Sequence, residues 1–130
     1  MSRLPQPDRA ELRLSAVLDA LADPVRLRLL ADLTADGVEV DTERSCGIEA
    51  WSVAVHKSTL SHHFKVLREA GVISTRVEGR NRWIRLRRDD LEARFPGLLG
   101  AVLAALPEEL ERAGAPRPEG SGGQAANLAR

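Results

Sequence analysis

Between residues 57 and 68, polar and cationic side chains recur at the spacing of one helix face. Lys57, Ser61, Lys65 and Arg68 fall at i, i+4, i+8 and i+11, so a helix would carry them on the same side. Short hydroxyl side chains let a helix enter the major groove of DNA, where donors reach base edges and cations bind phosphates. The whole face comprises Lys57, Ser58, Thr59, Ser61, His62, Lys65 and Arg68. The alternative is an ordinary solvated helix face.

The same segment and the residues after it predict the elements that must position this face. Leu60, Phe64 and Leu67, at i, i+4 and i+7, form the opposite, apolar face. Gly71 predicts the end of the helix. Two alternating segments then predict strands over residues 72–77 and 82–86, joined by a turn over residues 78–81.

Arginines cluster around that predicted hairpin. Arg76, Arg80 and Arg82 lie near the turn, where guanidinium groups can bind a phosphate or enter a minor groove. Charged side chains also protect sheet edges from aggregation, but six arginines in residues 76–88 exceed what edge protection requires. Trp83 and Ile84 alternate with Arg82 and Arg85, so one face of the second strand is predicted to pack inward, and Trp83 is predicted to be a core residue rather than a platform for base stacking.

The charge of the chain is concentrated in one block. Residues 57–88 hold nine cationic and two acidic side chains, a net charge of +7 in a chain whose total is zero. The flanks are acidic, at −4 over residues 1–56 and −3 over residues 89–130. A polyanion would therefore be attracted to the middle of the chain and repelled by its ends.

The remainder of the chain predicts one small, mostly helical domain. Residues 1–8 are expected to be a flexible N-terminus, residues 9–112 the folded domain, and residues 113–130 a disordered tail rich in Gly, Pro and Ala. Helices are predicted from Arg9 to Leu21, from Asp23-Pro24 to near Gly37, and on both sides of Pro96-Gly97. Residues 36–47 predict a loop. Residues 48–55 suit either a short third helix or a strand.

Three blocks of the sequence resemble the ArsR/SmtB family of bacterial winged helix-turn-helix repressors. They are LADPVRLRLLADL at residues 21–33, KSTLSHHFKVLREAGVI at 57–73 and VEGRNRWIRL at 77–86. The resemblance covers residues 12–106 and implies an α+β, mostly helical winged helix-turn-helix with a two-stranded β-wing. It also implies a homodimer that forms through the first and last helices. The apolar side chains available for that interface are Leu14, Val17, Leu18, Leu21, Leu98, Leu99, Val102, Leu103 and Leu106.

Two metal-sensing motifs of the family are missing from this sequence. The positions that correspond to the family's Cys-x-Cys pair are Ser45 and Gly47, with Cys46 between them. The segment 97–106 has no His, Asp or Glu, which are the ligands of the other common site. No metal site carries over from the family, and the cofactor is left unassigned. Two other interpretations stay open: a metal site that combines His56 with acidic groups of residues 39–49, and a thiol sensor at Cys46.

These observations predict a cytoplasmic DNA-binding regulator rather than an enzyme. The sequence shows no nucleophile–base pair, phosphate loop, signal peptide or membrane-spanning segment. The expected partners are double-stranded DNA and a second copy of the chain, with no membrane and with room for an effector or a protein partner. The resemblance implies an operator-binding repressor on an inverted repeat. The alternative is a winged-helix module that docks an acidic protein and does not read DNA.

Overall fold

The computed structural model describes residues 2–37 and 43–114. Five α-helices and four short strands make up these residues. The helices are α1 (Leu14–Ala20), α2 (Pro24–Leu33), α3 (Lys57–Ala70), α4 (Arg88–Arg94) and α5 (Leu98–Gly114). The strands are β1 (Ser2–Arg3), β2 (Glu43–Ser45), β3 (Ile73–Glu78) and β4 (Asn81–Leu86). Residues 115–130 of the predicted tail lie outside the described residues.

The strands form one antiparallel sheet in the order β1-β3-β4-β2. The β3–β4 hairpin is the predicted wing, and Ile73 pairs with Leu86 at its base while Glu78 pairs with Asn81 at its tip. β2 lies within the segment that was predicted to be a loop, and it pairs with β4 from Glu43↔Arg85 to Ser45↔Trp83. The polar composition of β2 hides it from a hydrophobicity pattern, because a short edge strand needs few apolar side chains.

The core lies between one face of this sheet and the helices. Leu29 and Leu30 of α2 and Leu60 and Leu67 of α3 are fully buried there, together with Ile84 of β4. α5 packs against α2 and α4. The arrangement is that of a winged helix-turn-helix, and the predicted fold class is confirmed.

The segment before α3 is less helical than the sequence suggests. Only Ile48–Ala50 forms a 3₁₀ turn, and the chain from Trp51 to His56 reaches α3 without regular structure. The third-helix interpretation of residues 48–55 was therefore wrong over most of its length. Side-chain hydrogen bonds hold the segment instead. Trp51 Nε1 donates to the Ser45 carbonyl at 2.9 Å, and the Ser52 hydroxyl donates to Asp32 at 2.8 Å.

The first predicted helix is also divided. Arg9–Glu11 is a 3₁₀ turn, and Leu12 and Arg13 are extended before α1 begins at Leu14. Within the N-terminal segment for which the sequence predicts flexibility, β1 pairs with β3, with Ser2 opposite Val77 and Arg3 opposite Arg76. The flexibility itself stays a prediction.

Candidate nucleic-acid interface

α3 is fixed by one apolar face and leaves the other face in solvent. Leu60, His63, Phe64, Leu67 and Ala70 are buried. The Phe64 ring lies 5.0 Å from the buried Trp51 ring at a tilt of 59°, a favourable geometry for an aromatic pair. These contacts determine which side of the helix faces outward.

Both ends of α3 are set by the backbone. The Leu60 N–H donates to the carbonyl of His56 at 2.9 Å as the helix begins. At the other end, Gly71 adopts φ +88°, in the left-handed region, and the Val72 N–H donates to the Leu67 carbonyl at 2.9 Å. The predicted helix end is confirmed, and the wing begins two residues beyond it.

A buried polar contact joins α3 to α2. Arg26 Nη1 lies 3.1 Å from His63 Nδ1. A guanidinium can only donate, so Nδ1 must be the unprotonated ring nitrogen. Arg26 Nε donates to the Ala20 carbonyl at 2.6 Å, and Asp23 caps α2 by accepting from the backbone N–H groups of Val25 and Arg26. Burial is the main reason that the pKa of His63 lies below its usual value.

The outward face of α3 holds six of the ten predicted DNA-binding residues. Lys57, Ser58, Thr59, Ser61, His62 and Lys65 are all exposed. Two adjacent histidines have opposite environments, because His62 is in solvent while His63 is buried. This face offers two ammonium groups, three hydroxyls and an imidazole to a ligand.

Arg68, which continues this row, is half-buried. Its Nε donates to the Pro5 carbonyl at 3.2 Å. The structure thus places one of the predicted phosphate contacts against the N-terminal segment.

On the wing, Arg80 and Arg82 are exposed and Arg76 is bound to acidic side chains. The Arg76 guanidinium donates to both carboxylate oxygens of Glu43, at 3.1 and 2.8 Å, and to Glu78 at 3.1 Å. These bonds hold the pKa of Glu43 below its usual value and raise the pKa of Arg76. Such two-pronged pairing occupies the groups that Arg76 would offer to a phosphate.

Trp83 does not lie in the core as predicted. Ile84 and Leu86 point inward and are buried, whereas Trp83 is half-buried on the opposite face of the sheet, with the Arg76 guanidinium 5.9 Å from its ring centroid. An alternating strand has two faces, and sequence alone did not distinguish which of the two rows faces the core. The core tryptophan is Trp51.

The apolar side chains predicted to form an interface fall into two groups. Val17, Leu21, Leu99 and Leu106 are already buried within one chain. Leu14 and Leu18 of α1 are each 47% exposed, and Leu98, Val102 and Leu103 of α5 are half-buried. An apolar cleft of about 270 Å³ lies between α1, α2 and α5, with Leu18, Leu27 and Val102 in its lining.

Neither a metal site nor a membrane span is found over residues 2–37 and 43–114. No group of three His, Cys, Asp or Glu side chains there could hold a metal ion. In the same part of the chain, no helix is long and apolar enough to cross a membrane. Cys46 is half-buried, and its N–H donates to the Arg82 carbonyl at 3.0 Å.

Sequence reasoning missed residues that position α3 and the segment before it. Asp23 was recognised as a cap, but the contact of Arg26 with His63 joins positions 37 residues apart and leaves no local pattern. Asp32, which holds Ser52, is missed for the same reason.

Comparison with known proteins gives two kinds of match. A family model described as a helix-turn-helix domain matches residues 21–76. The chain is 37% identical over 83 residues to YceK, an uncharacterized HTH-type transcriptional regulator of Bacillus subtilis, covering 64% of this chain and 79% of the relative. It is 36% identical over 106 residues to the biofilm growth-associated repressor of Agrobacterium fabrum, covering 82% of this chain and 84% of the relative.

These relatives are matched over most of their length, and the matched segments include α3 with its exposed polar face. They are regulators and not enzymes. The chain belongs to the family of helix-turn-helix transcriptional regulators.

Proposed function

We propose that the protein is a sequence-specific DNA-binding repressor of the ArsR/SmtB type that acts in the cytoplasm as a homodimer on an inverted repeat. The observation that carries the proposal is the exposed polar face of α3. The opposite face of the helix is buried in the core, so the polar face is the one available to a ligand. Under this proposal α3 is the recognition helix. A relative named as a repressor, matched over most of its length, supports the direction of regulation.

The two parts of the surface would have different roles. Ser58, Ser61 and His62 would contact base edges, because they are short or can both donate and accept hydrogen bonds. Lys57 and Lys65 would neutralise phosphates at the two sides of the groove. Arg80 and Arg82 would contact the backbone or the minor groove from the wing.

We assign a different role to two arginines of the predicted set. Arg76 and Arg68 already donate to Glu43 and to the Pro5 carbonyl. We propose that they support the surface from within, and that the phosphate contacts come from the exposed cations. Thr59, also exposed on α3, remains in the proposed contact set.

Measuring the affinity for the operator at a series of salt concentrations tests this assignment. Lys65→Ala should weaken binding to every duplex and reduce the slope of log affinity against log salt by about 0.9, since one phosphate contact is lost. Ser61→Ala and His62→Ala should instead reduce the preference at single base positions, by about 1–3 kcal/mol. Fluorescence anisotropy with a duplex from the region upstream of the gene, and with single-base variants of it, measures both effects.

Arg112→Ala is the matched control, because Arg112 is an exposed cation that pairs only with Glu108 on α5 among the contacts described. This variant should leave both affinity and salt slope unchanged. Equal effects of Lys65→Ala and Arg112→Ala would contradict the interface. Binding of an acidic protein, with no duplex bound at low salt, would favour the interaction-module alternative.

A further inference from the structure

The outer edge of β3 is covered by the N-terminal segment. The Thr75 carbonyl accepts from the Leu4 N–H at 3.4 Å, and the Thr75 N–H donates to Gln6 Oε1 at 3.2 Å. The side chain of Gln6 thus provides the acceptor that a neighbouring strand would otherwise supply. An edge strand without such cover presents these backbone groups to solvent or to another chain.

The same segment is fastened to two further elements. Residues 4–12, named here the strap, contact α3 where Arg68 donates to the Pro5 carbonyl at 3.2 Å. They contact α4 where Arg9 pairs with Asp90 at 2.6 Å, and they contact the residue before α4 where Arg87 donates to the Pro7 carbonyl at 2.7 Å. At the end of the strap, Leu12 is buried beside Gly71, the residue at which α3 gives way to the wing.

From these contacts we infer that the strap is a positioning element for DNA binding, with Gln6 as its positioning residue on the wing. This inference rests on the proposed function, in which α3 and the wing bind one duplex together. The wing leaves α3 through Gly71 and Val72 alone along the chain. On the β4 side the hairpin is paired with β2, and the strap adds an attachment on the opposite side, from the edge of β3 to the end of α3.

A fixed wing matters because both surfaces must meet the same duplex. If the hairpin moves relative to α3 in the free protein, binding must also order it, and that cost reduces affinity. A strap that holds the hairpin removes this cost before DNA arrives. The strap therefore acts through Arg80 and Arg82, and not through a contact of its own with DNA.

Hydrogen exchange in the full chain tests the attachment. Gln6→Ala removes the acceptor for the Thr75 N–H. Hydrogen exchange of that amide and of the wing amides should become about tenfold faster or more. The amides of α2 and α5 should keep their exchange rates. Gln6→Glu keeps an oxygen at the same place and should restore the slow exchange of Thr75. Glu92→Ala is the matched control, since it removes another side-chain acceptor of a backbone N–H, that of Gly97. It should leave the wing amides unchanged.

A double-mutant cycle tests the consequence for DNA. The loss of affinity caused by Arg80→Ala should be at least about twofold smaller in the Gln6→Ala background than in the unsubstituted protein, because contacting groups that share one support are not additive. The loss caused by Lys65→Ala should be the same in both backgrounds. A merely destabilising effect of Gln6→Ala would alter both losses or neither.

The outcomes separate the two proposals. Unchanged exchange at Thr75, or an Arg80→Ala effect equal in both backgrounds, overturns the strap inference while the DNA interface stands. If neither Lys65→Ala nor Arg80→Ala affects duplex binding in the unsubstituted protein, the proposed function fails. The wing exchange rates then still decide whether the strap holds the hairpin.

Discussion

His63 is buried on α3 and contacts Arg26 of α2, so the protonation state of its imidazole affects the contact between the two helices. Arg26 donates to Nδ1, so a second proton on the ring would remove the acceptor and place two cations 3.1 Å apart. Asp23, close enough to favour the charged ring, acts in the opposite direction, while Arg26 and His62 disfavour it. Burial, Arg26 and His62 together outweigh Asp23, and the pKa of His63 is lowered from 6.5.

The lowered pKa predicts acid destabilisation over a defined range. Below pH 6.5 the unfolded chain binds a proton at His63 before the folded protein does, so the free energy of unfolding should fall as pH decreases from 7.5 to 5.5. The lowered pKa values of Glu43 and Asp90 act only below their ordinary values of 4.5 and 3.8, outside this range.

Urea denaturation of His63→Gln measures the contribution, because glutamine can still accept from Arg26 but does not titrate. This variant should lose less stability than the unsubstituted protein between pH 7.5 and 5.5. His56→Gln, which alters an exposed histidine that is not among the groups acting on His63, should show the unsubstituted slope. Identical slopes for all three proteins would contradict a role for His63.

At the scale of elements, the junction between α3 and the wing depends on one glycine. Gly71 has φ +88°, and a Cβ added there would lie 2.0 Å from Leu12 Cδ2. The left-handed conformation and the contact with Leu12 would both act against any larger residue.

Gly71→Ala should therefore reduce the free energy of unfolding by about 2–4 kcal/mol, of which backbone strain supplies about 1–2. Gly97→Ala isolates the strain, because Gly97 has φ +84° with no atom within 4 Å of the added Cβ. This control should cost only the smaller amount in the same denaturation measurement. Equal losses at the two glycines would show that Leu12 moves aside without cost.

How far each element could be predicted depends on whether its cause is local. α3 follows from the spacing of Leu60, Phe64 and Leu67, and its end follows from Gly71, so its face and boundary were predictable. β2 and the inward row of β4 were not, because pairing partners decide them: Glu43 lies opposite Arg85, and Ile84 rather than Trp83 faces the core. The hydrogen bonds of Arg76 to Glu43 and of Arg68 to the Pro5 carbonyl were not predictable either, because both join residues far apart in the sequence.

At the scale of the whole molecule, exposed leucines on α1 are the strongest structural support for the proposed homodimer. Leu14 and Leu18 are each 47% exposed, and α5 presents half-buried apolar side chains near the cleft beside Leu18. A small domain gains stability when a second copy covers such surface. Two copies would also present two α3 helices, as an inverted repeat requires.

Leu18→Glu should dissociate this dimer, raising its dissociation constant at least about tenfold, because a carboxylate would be buried among apolar groups. Sedimentation velocity gives the oligomeric state, and anisotropy should show that affinity for an inverted repeat falls more than affinity for a single half-site. Ile48→Glu is the control, because Ile48 is 37% exposed outside the proposed interface. A dimer that survives Leu18→Glu unchanged would place the interface elsewhere.

The placement of the two tryptophans gives the molecule two separate optical reporters. The chain has no tyrosine and two tryptophans, one packed at a tilt against Phe64 in the core and the other on the outer face of the wing sheet. Emission from Trp51 is therefore sensitive to the seating of α3, and emission from Trp83 to the charge and hydration of the wing. In two single-tryptophan variants, Trp83→Phe and Trp51→Phe, fluorescence would report core unfolding and wing rearrangement separately.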